Sequence, residues 1–148
     1  MKEHKEVVKY MNILLLLIPK NKVAFIYEDS TVRQALEKME YHRYSAIPIL
    51  TKEGGYVGTL TEGDLLWALK SQVDLNLKAA EKFVVASIPR LRDNEPVTID
   101  AKVDDLIKKS VNQNFVPVLD GKKSFIGIVT RKDIIQYCYK QMCQREKQ

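Results

Sequence analysis

Ala46-Ile47-Pro48-Ile49-Leu50, followed by Tyr56-Val57-Gly58-Thr59-Leu60-Thr61-Glu62-Gly63-Asp64-Leu65-Leu66, decides how this chain folds, because it occurs twice. At an offset of 69 stand Phe115-Val116-Pro117-Val118-Leu119 and Phe125-Ile126-Gly127-Ile128-Val129-Thr130-Arg131-Lys132-Asp133-Ile134-Ile135. Only the proline, the leucine that closes the first run, the glycine, the threonine and the aspartate are identical. The spacing and the apolar pattern agree throughout, and agreement of that kind marks a duplicated structural unit.

Working outward, short apolar runs broken by Glu53-Gly54-Gly55 and Asp120-Gly121-Lys122 read as two hairpins, with strands at 46–50 and 56–60 and again at 116–119 and 124–129. Ahead of each hairpin lies a helical pattern. Val32, Ala35, Leu36 and Met39 recur at helical spacing, and Val103, Leu106 and Ile107 begin the same series. Ser30-Thr31 and Asp100 are the expected N-caps. After each hairpin the apolar pattern turns helical again at Leu65 and Ile134. Each repeat therefore reads as helix, strand, turn, strand, helix. A leading strand is expected at 23–26, with a weaker counterpart at 96–98.

The expected fold class is α+β, with an N-terminal amphipathic helix at 1–19 whose body is 3–18. Repeats follow at 20–72 and 95–140, joined by a linker at 73–94 that holds a short helix over 75–83. A basic tail closes the chain at 141–148. A unit of some 55 residues has little interior of its own. The two are expected to pack through their sheets about an approximate twofold axis, which would generate two related clefts.

Gly-x-x-Thr-x-x-Asp, present as Gly58, Thr61, Asp64 and as Gly127, Thr130, Asp133, carries two readings. The threonine and the acid three residues later form a capping box at a helix start. The same strand-to-helix corner also presents backbone N–H groups to an anion, and a hydroxyl with a carboxylate one turn away can hold the two hydroxyls of a ribose. Arg131 and Lys132 put positive charge into the second copy, where the first has Glu62 and Gly63. The two sites are not expected to be equivalent.

These paired runs resemble the CBS motif, and two in tandem resemble a CBS pair, or Bateman module, over about residues 20–140. The resemblance implies a β-α-β-β-α unit used twice and adenosine ligands in the two clefts. It assigns ribose contacts to Thr61 with Asp64 and to Thr130 with Asp133. Adenine would lie against Ser45, Ala46 and Ile47 in one copy and Phe115 and Val116 in the other, with Lys22, Val23 and Ala24 completing a pocket. Lys-Val-Ala, Tyr-Ser-Ala-Ile-Pro, Ile-Pro-Arg-Leu and Thr-Arg-Lys are similar to segments of free-standing bacterial CBS-pair proteins that bind cyclic di-AMP, which would set Lys22 and Arg131 against phosphate. Asp64 and Asp133 suit the free diol of AMP, ADP or ATP instead. The implied protein is a regulatory sensor, a homodimer that signals to a partner protein, with the nucleotide as regulatory ligand and no cofactor. A ligand-free dimerisation scaffold is the alternative.

Composition agrees with a folded binding module. Hydrophobic residues at 45% against 29% charged exclude a disordered chain. The net charge of +5 favours phosphate-bearing partners, yet the aromatics do not interleave with the basic residues as a nucleic-acid stacking platform requires. The apolar run at 13–18 is shorter than the roughly 20 residues of a membrane span, and acidic residues precede it, unlike a secretory signal. A cytoplasmic location is the expectation. Cys138 and Cys143, with His4 and His42, match no metal-ligand spacing. No nucleophile–base arrangement or phosphate loop is present, so catalysis is not expected.

Overall fold

The computed structural model describes residues 12–71, 76 and 78–147. The chain separates into two compact units, each built around one hairpin. The first-repeat unit spans Ala24–Asp93; the second-repeat unit joins residues from Asn94 onward to the segment that ends at Val23. Each repeat thus completes its unit with the stretch of chain that precedes the other repeat.

In the first-repeat unit, β2 (Ile26–Tyr27) lies parallel to β3 (Ala46–Leu50), and β3 pairs antiparallel with β4 (Tyr56–Thr61). Helix α1 (Val32–His42) starts at a reciprocal capping box, Thr31 with Gln34, and ends where Arg43 turns left-handed at φ 57°. Its buried stripe is Val32, Ala35 and Met39, which packs with Ile47, Ile49 and Leu60 of the sheet and with Leu65 and Ala68 of α2 (Glu62–Ser71). Strand β3 is buried along nearly its whole length, as befits a strand covered on both faces.

The second-repeat unit is a four-stranded sheet in the order β1-β7-β6-β5. These are Ile18–Pro19, Phe125–Thr130, Phe115–Leu119 and Val97–Thr98, with helices α3 (Val103–Ser110) and α4 (Arg131–Glu146). The core gathers Ile13, Val97, Val103, Leu106, Val116, Val118, Val129 and Ile134. Duplication extends to the register. Ala46 pairs with Thr61 and Phe115 with Thr130, Ile49 with Gly58 and Val118 with Gly127, and both ladders slip at the same step.

Four local expectations change. Residues 1–11 lie outside the described part of the expected N-terminal helix. From Asn12 the chain forms a 3-10 turn, Ile13–Leu15, capped by the Asn12 side chain, and then strand β1. The apolar run is not helical there because Ile18 and Pro19 pair with Ile128 and Gly127 on the outer edge of β7. The leading strand sits at Ile26–Tyr27 rather than 23–26. In the linker, 72–75 and 77 lie outside the described residues, and the rest makes two 3-10 turns, Ala79–Glu81 and Val85–Ser87. Between them Val84 bridges Thr31, Val32 N–H donates to the Phe83 carbonyl at 2.8 Å and Val85 N–H to that of Ser30 at 2.7 Å. Asp100 takes the Thr98 hydroxyl rather than capping α3; Asp105 reaches back to the amide of Lys102, the actual N-cap.

The two signature glycines are needed for close approach. A β-carbon on Gly127 would lie 2.1 Å from the Ile18 carbonyl oxygen, and one on Gly58 would lie 2.4 Å from Asp93 Oδ1. The first obstacle is backbone held in a ladder; the second is a side chain that can swing. Overpacking of this kind costs about 1–3 kcal/mol. Gly127→Ala is therefore expected to lower Tm more than Gly58→Ala does, and Gly58→Ala to cost less in an Asp93→Ala background than alone. Thermal melts of the four variants check this, and a Gly58→Ala penalty independent of Asp93 would contradict it.

Candidate functional site

Both threonines of the signature cap a helix, but the aspartates that follow them do different things. In the first-repeat unit Thr61 and Asp64 form a closed box. Asp64 N–H donates to Thr61 Oγ1 at 3.0 Å, and Thr61 N–H donates to Asp64 Oδ2 at 3.0 Å. The other carboxylate oxygen, Oδ1, accepts from the Leu91 amide at 3.2 Å. Asp64 is only 6% exposed, and each of its oxygens accepts from a backbone amide inside the protein.

In the second-repeat unit the box stays open. Asp133 N–H donates to Thr130 Oγ1 at 3.2 Å, but the half-buried Asp133 carboxylate has no hydrogen-bond partner among the described residues. Lys132 is exposed beside it. Lys22 is exposed on the 3-10 turn Lys20–Lys22, which packs against β7, and Val23 is buried at the end of that turn. Arg131 Nε donates to the carbonyls of Ser110 at 2.7 Å and Gln113 at 3.0 Å. It thereby ties the start of α4 to the chain leaving α3.

The expected adenine-lining residues divide. Ser45 is exposed and Ala46 half-buried, whereas Ile47 and Val116 are wholly buried within their cores and Phe115 is 5% exposed. Asn94 Nδ2 and Gln113 Nε2 both donate to the Phe115 carbonyl, at 3.1 and 3.2 Å, which fixes the backbone at that strand start. Ala24 packs on the core of the first-repeat unit, whereas Lys22 and Val23 belong to the second. Two surface grooves of about 550 and 710 Å³, beside α1, include none of these residues.

Arg90 lies in the Ile-Pro-Arg-Leu segment, but Asp93 and its pairing with Arg90 were not singled out in the sequence. Asp93 lies against β4, where Oδ1 accepts from the Thr59 amide at 2.9 Å and from Arg90 Nε at 2.7 Å, while Arg90 Nη2 reaches Oδ2 at 3.3 Å. Burial alone would raise the Asp93 pKa, but the Arg90 guanidinium and the Thr59 amide outweigh it and hold the carboxyl below its ordinary range. A second repeat could have revealed the pair. Ile88-Pro89-Arg90-Leu91-Arg92-Asp93 follows Ile18-Pro19-Lys20-Asn21-Lys22-Val23 at an offset of 70, with aspartate standing where the first copy has valine.

The sequence matches the CBS domain family over residues 17–71 and 85–140. A CBS domain-containing protein of Dictyostelium discoideum is 27% identical over 136 residues, covering 88% of this chain and 94% of its own. Among solved structures, CbpB in complex with c-di-AMP superimposes with a TM-score of 0.84 at 22% identity, covering 99% of this chain and 96% of its own. CBSX2 in complex with AMP gives 0.68 at 18% identity, over 88% and 98%. At those identities the likeness is one of fold. Among the described residues no helix is long and apolar enough to cross a membrane, and no cluster of three potential metal ligands occurs.

Because the Asp93 pKa is lowered on folding, its stabilisation is fully present above the ordinary value of about 4. It is lost as pH falls through the lower folded value. Asp93→Asn is expected to reduce stability at pH 7 by about 1 kcal/mol, roughly 3 °C in Tm. The gap from wild type should close as the pH falls below about 4. Melting curves across pH check this; a gap that persists undiminished in acid would show that the charge is not what matters.

Proposed function

The chain belongs to the CBS-domain family, and we propose that it is a cytoplasmic regulatory module that binds an adenine nucleotide at the Thr130–Asp133 corner of its second repeat. The observation that carries this reading is the open carboxylate of Asp133 at a threonine-capped helix start, with Lys22 and Lys132 exposed in the same unit. A carboxylate accepts from both hydroxyls of a ribose, and lysines and helix N-termini favour phosphate. AMP, ADP or ATP offers the free diol, whereas cyclic di-AMP offers one hydroxyl per ribose and a second adenosine. Arg131 acts by holding the corner in place, since its Nε is committed to the Ser110 and Gln113 carbonyls. The ligand is regulatory, not a cofactor, and the role is binding rather than catalysis: the site offers no nucleophile paired with a base.

Self-association belongs to the same proposal, and α4 supports it. Ile135, Tyr139 and Met142 are 59%, 66% and 61% exposed and fall on one stripe of the helix, with Lys132 before them and Glu146 after them. The spacing three, four, three, four is that of a coiled-coil seam. An antiparallel second copy places Tyr139 on Tyr139, Ile135 on Met142, and Lys132 opposite Glu146, which is self-complementary about a twofold axis. Lys132 stands at the join of seam and site. A phosphate that draws it away weakens the seam, and by linkage self-association weakens nucleotide binding. That coupling is the proposed signal to a partner protein. The seam also favours the alternative, a scaffold that dimerises without ligand.

A thermal-shift panel separates the two readings. A nucleotide at 100 times its Kd adds about 2.7 kcal/mol, or roughly 5–10 °C. A shift with an adenine nucleotide, none with GMP, and a loss of about tenfold or more in affinity for Asp133→Asn are expected. A flat panel leaves the scaffold. Sedimentation of Tyr139→Glu, with unchanged circular dichroism, is expected to show monomer where the wild type is dimer; a wild type that is monomeric at tens of micromolar would remove the seam.

A further inference from the structure

We infer that the signature of the first repeat is a latch for the chain's own leader, so that the protein offers one nucleotide site per chain rather than two. The segment 88–93 is tied to the first-repeat unit by two carboxylates. Asp64 takes the Leu91 amide, and Asp93 takes the Thr59 amide while it is itself clasped by Arg90. Gly58 is what lets Asp93 come so close. The corresponding segment in the second-repeat unit is tied differently. Ile18 and Pro19 add a short backbone strand to β7, Val23 stands where Asp93 would, and the Asp133 carboxylate is left open. Two equivalent aspartates thus have opposite fates.

The chemistry follows from burial. A ribose diol must reach carboxylate oxygens from outside the protein. Asp64 is 6% exposed and its carboxylate holds one backbone amide on each oxygen, so a nucleotide gains it only by drawing the leader aside and weakening the Leu91 contact. Asp133 requires no such displacement. The direction of this asymmetry matches the extra positive charge of Arg131 and Lys132, but its cause is a backbone contact from another part of the chain. Asp64 is therefore a positioning residue for the leader, together with Asp93 and Arg90.

The latch itself is testable without any ligand; the count of sites rests on the nucleotide reading above. Amide hydrogen exchange of the free protein is expected to show the Leu91 and Thr59 amides protected. Asp64→Asn should speed exchange at Leu91 by about tenfold, with Thr59 little changed, and Asp93→Asn should do the reverse. Titration calorimetry with AMP and with cyclic di-AMP is expected to give no more than one adenosine site per chain. Asp64→Asn should bind within about threefold of wild type and Asp133→Asn about tenfold or more weakly. A Leu91 amide that exchanges freely in the wild type overturns the latch. Two occupied corners per chain, or an Asp64→Asn loss equal to that of Asp133→Asn, overturns the single site. If neither compound binds the wild type, the nucleotide reading falls with the count of sites, while the exchange data still decide the latch.

Discussion

The outer edge of the second hairpin strand in each unit is the constraint on which the rest of the structure turns. Strand β4 ends its sheet on the hairpin side, β7 would do so without β1, and an unpaired edge leaves backbone groups that need partners. The chain supplies them from the segment that precedes a repeat: a two-residue strand on β7, a single carboxylate on β4. Both solutions need a glycine at the same position of the strand, because a β-carbon there would collide with whatever closes the edge. The glycine of the repeated signature is thus explained by edge closure before any ligand is considered, and the leaders are held where they are by it.

Much of this was legible in the sequence. The 69-residue offset survives in the register of both hairpins, residue pair by residue pair, since strand pairing is set by the alternation and turn length that the sequence displays. Even the turn is conserved in shape. Gly54 and Lys123, 69 apart, are both left-handed, and Asp120 supports the lysine by accepting from the Lys122 and Ser124 amides. What escaped the reading were contacts made at long range. The apolar run at 13–18 looks helical in isolation, and periodicity cannot separate a short buried helix from a strand. Its partner, Ile128, is over a hundred residues away. The role of Asp93 was visible only through a second, fainter repeat at an offset of 70, whose divergence at its last position is the informative part.

The site shows the same division. That Thr61 and Thr130 would cap helices follows from local spacing alone, and both do. Ile47 and Val116 were expected at a ligand, but strand alternation turns them into their cores, leaving exposed Ser45 and half-buried Ala46 nearer the surface in the first copy. Arg131 is expected at phosphate from its place in the motif, and its Nε also serves carbonyls at the end of α3, a demand set by the backbone between Ser110 and Gln113. The capping reading does not exclude the proposed ligand reading; the two copies differ in how far the aspartate is buried once the cap is made.

That remainder is where duplication acquires consequence. Two copies of one motif begin with equal chemical means, a hydroxyl and a carboxylate at a helix start. A buried carboxylate is tolerable only if its oxygens are satisfied, since an unpaired one costs more than a hydrogen bond returns. Asp64 meets that condition through Thr61 and Leu91, and becomes part of the architecture. Asp133, half-buried, meets it through solvent or a ligand, and stays available. One aspartate in the leader, Asp93 in place of the valine at 23, accompanies the closed copy and not the open one. A single backbone amide from the segment ahead of the second repeat can therefore turn one of two equivalent corners into scaffold and leave the aspartate of the other only half-buried.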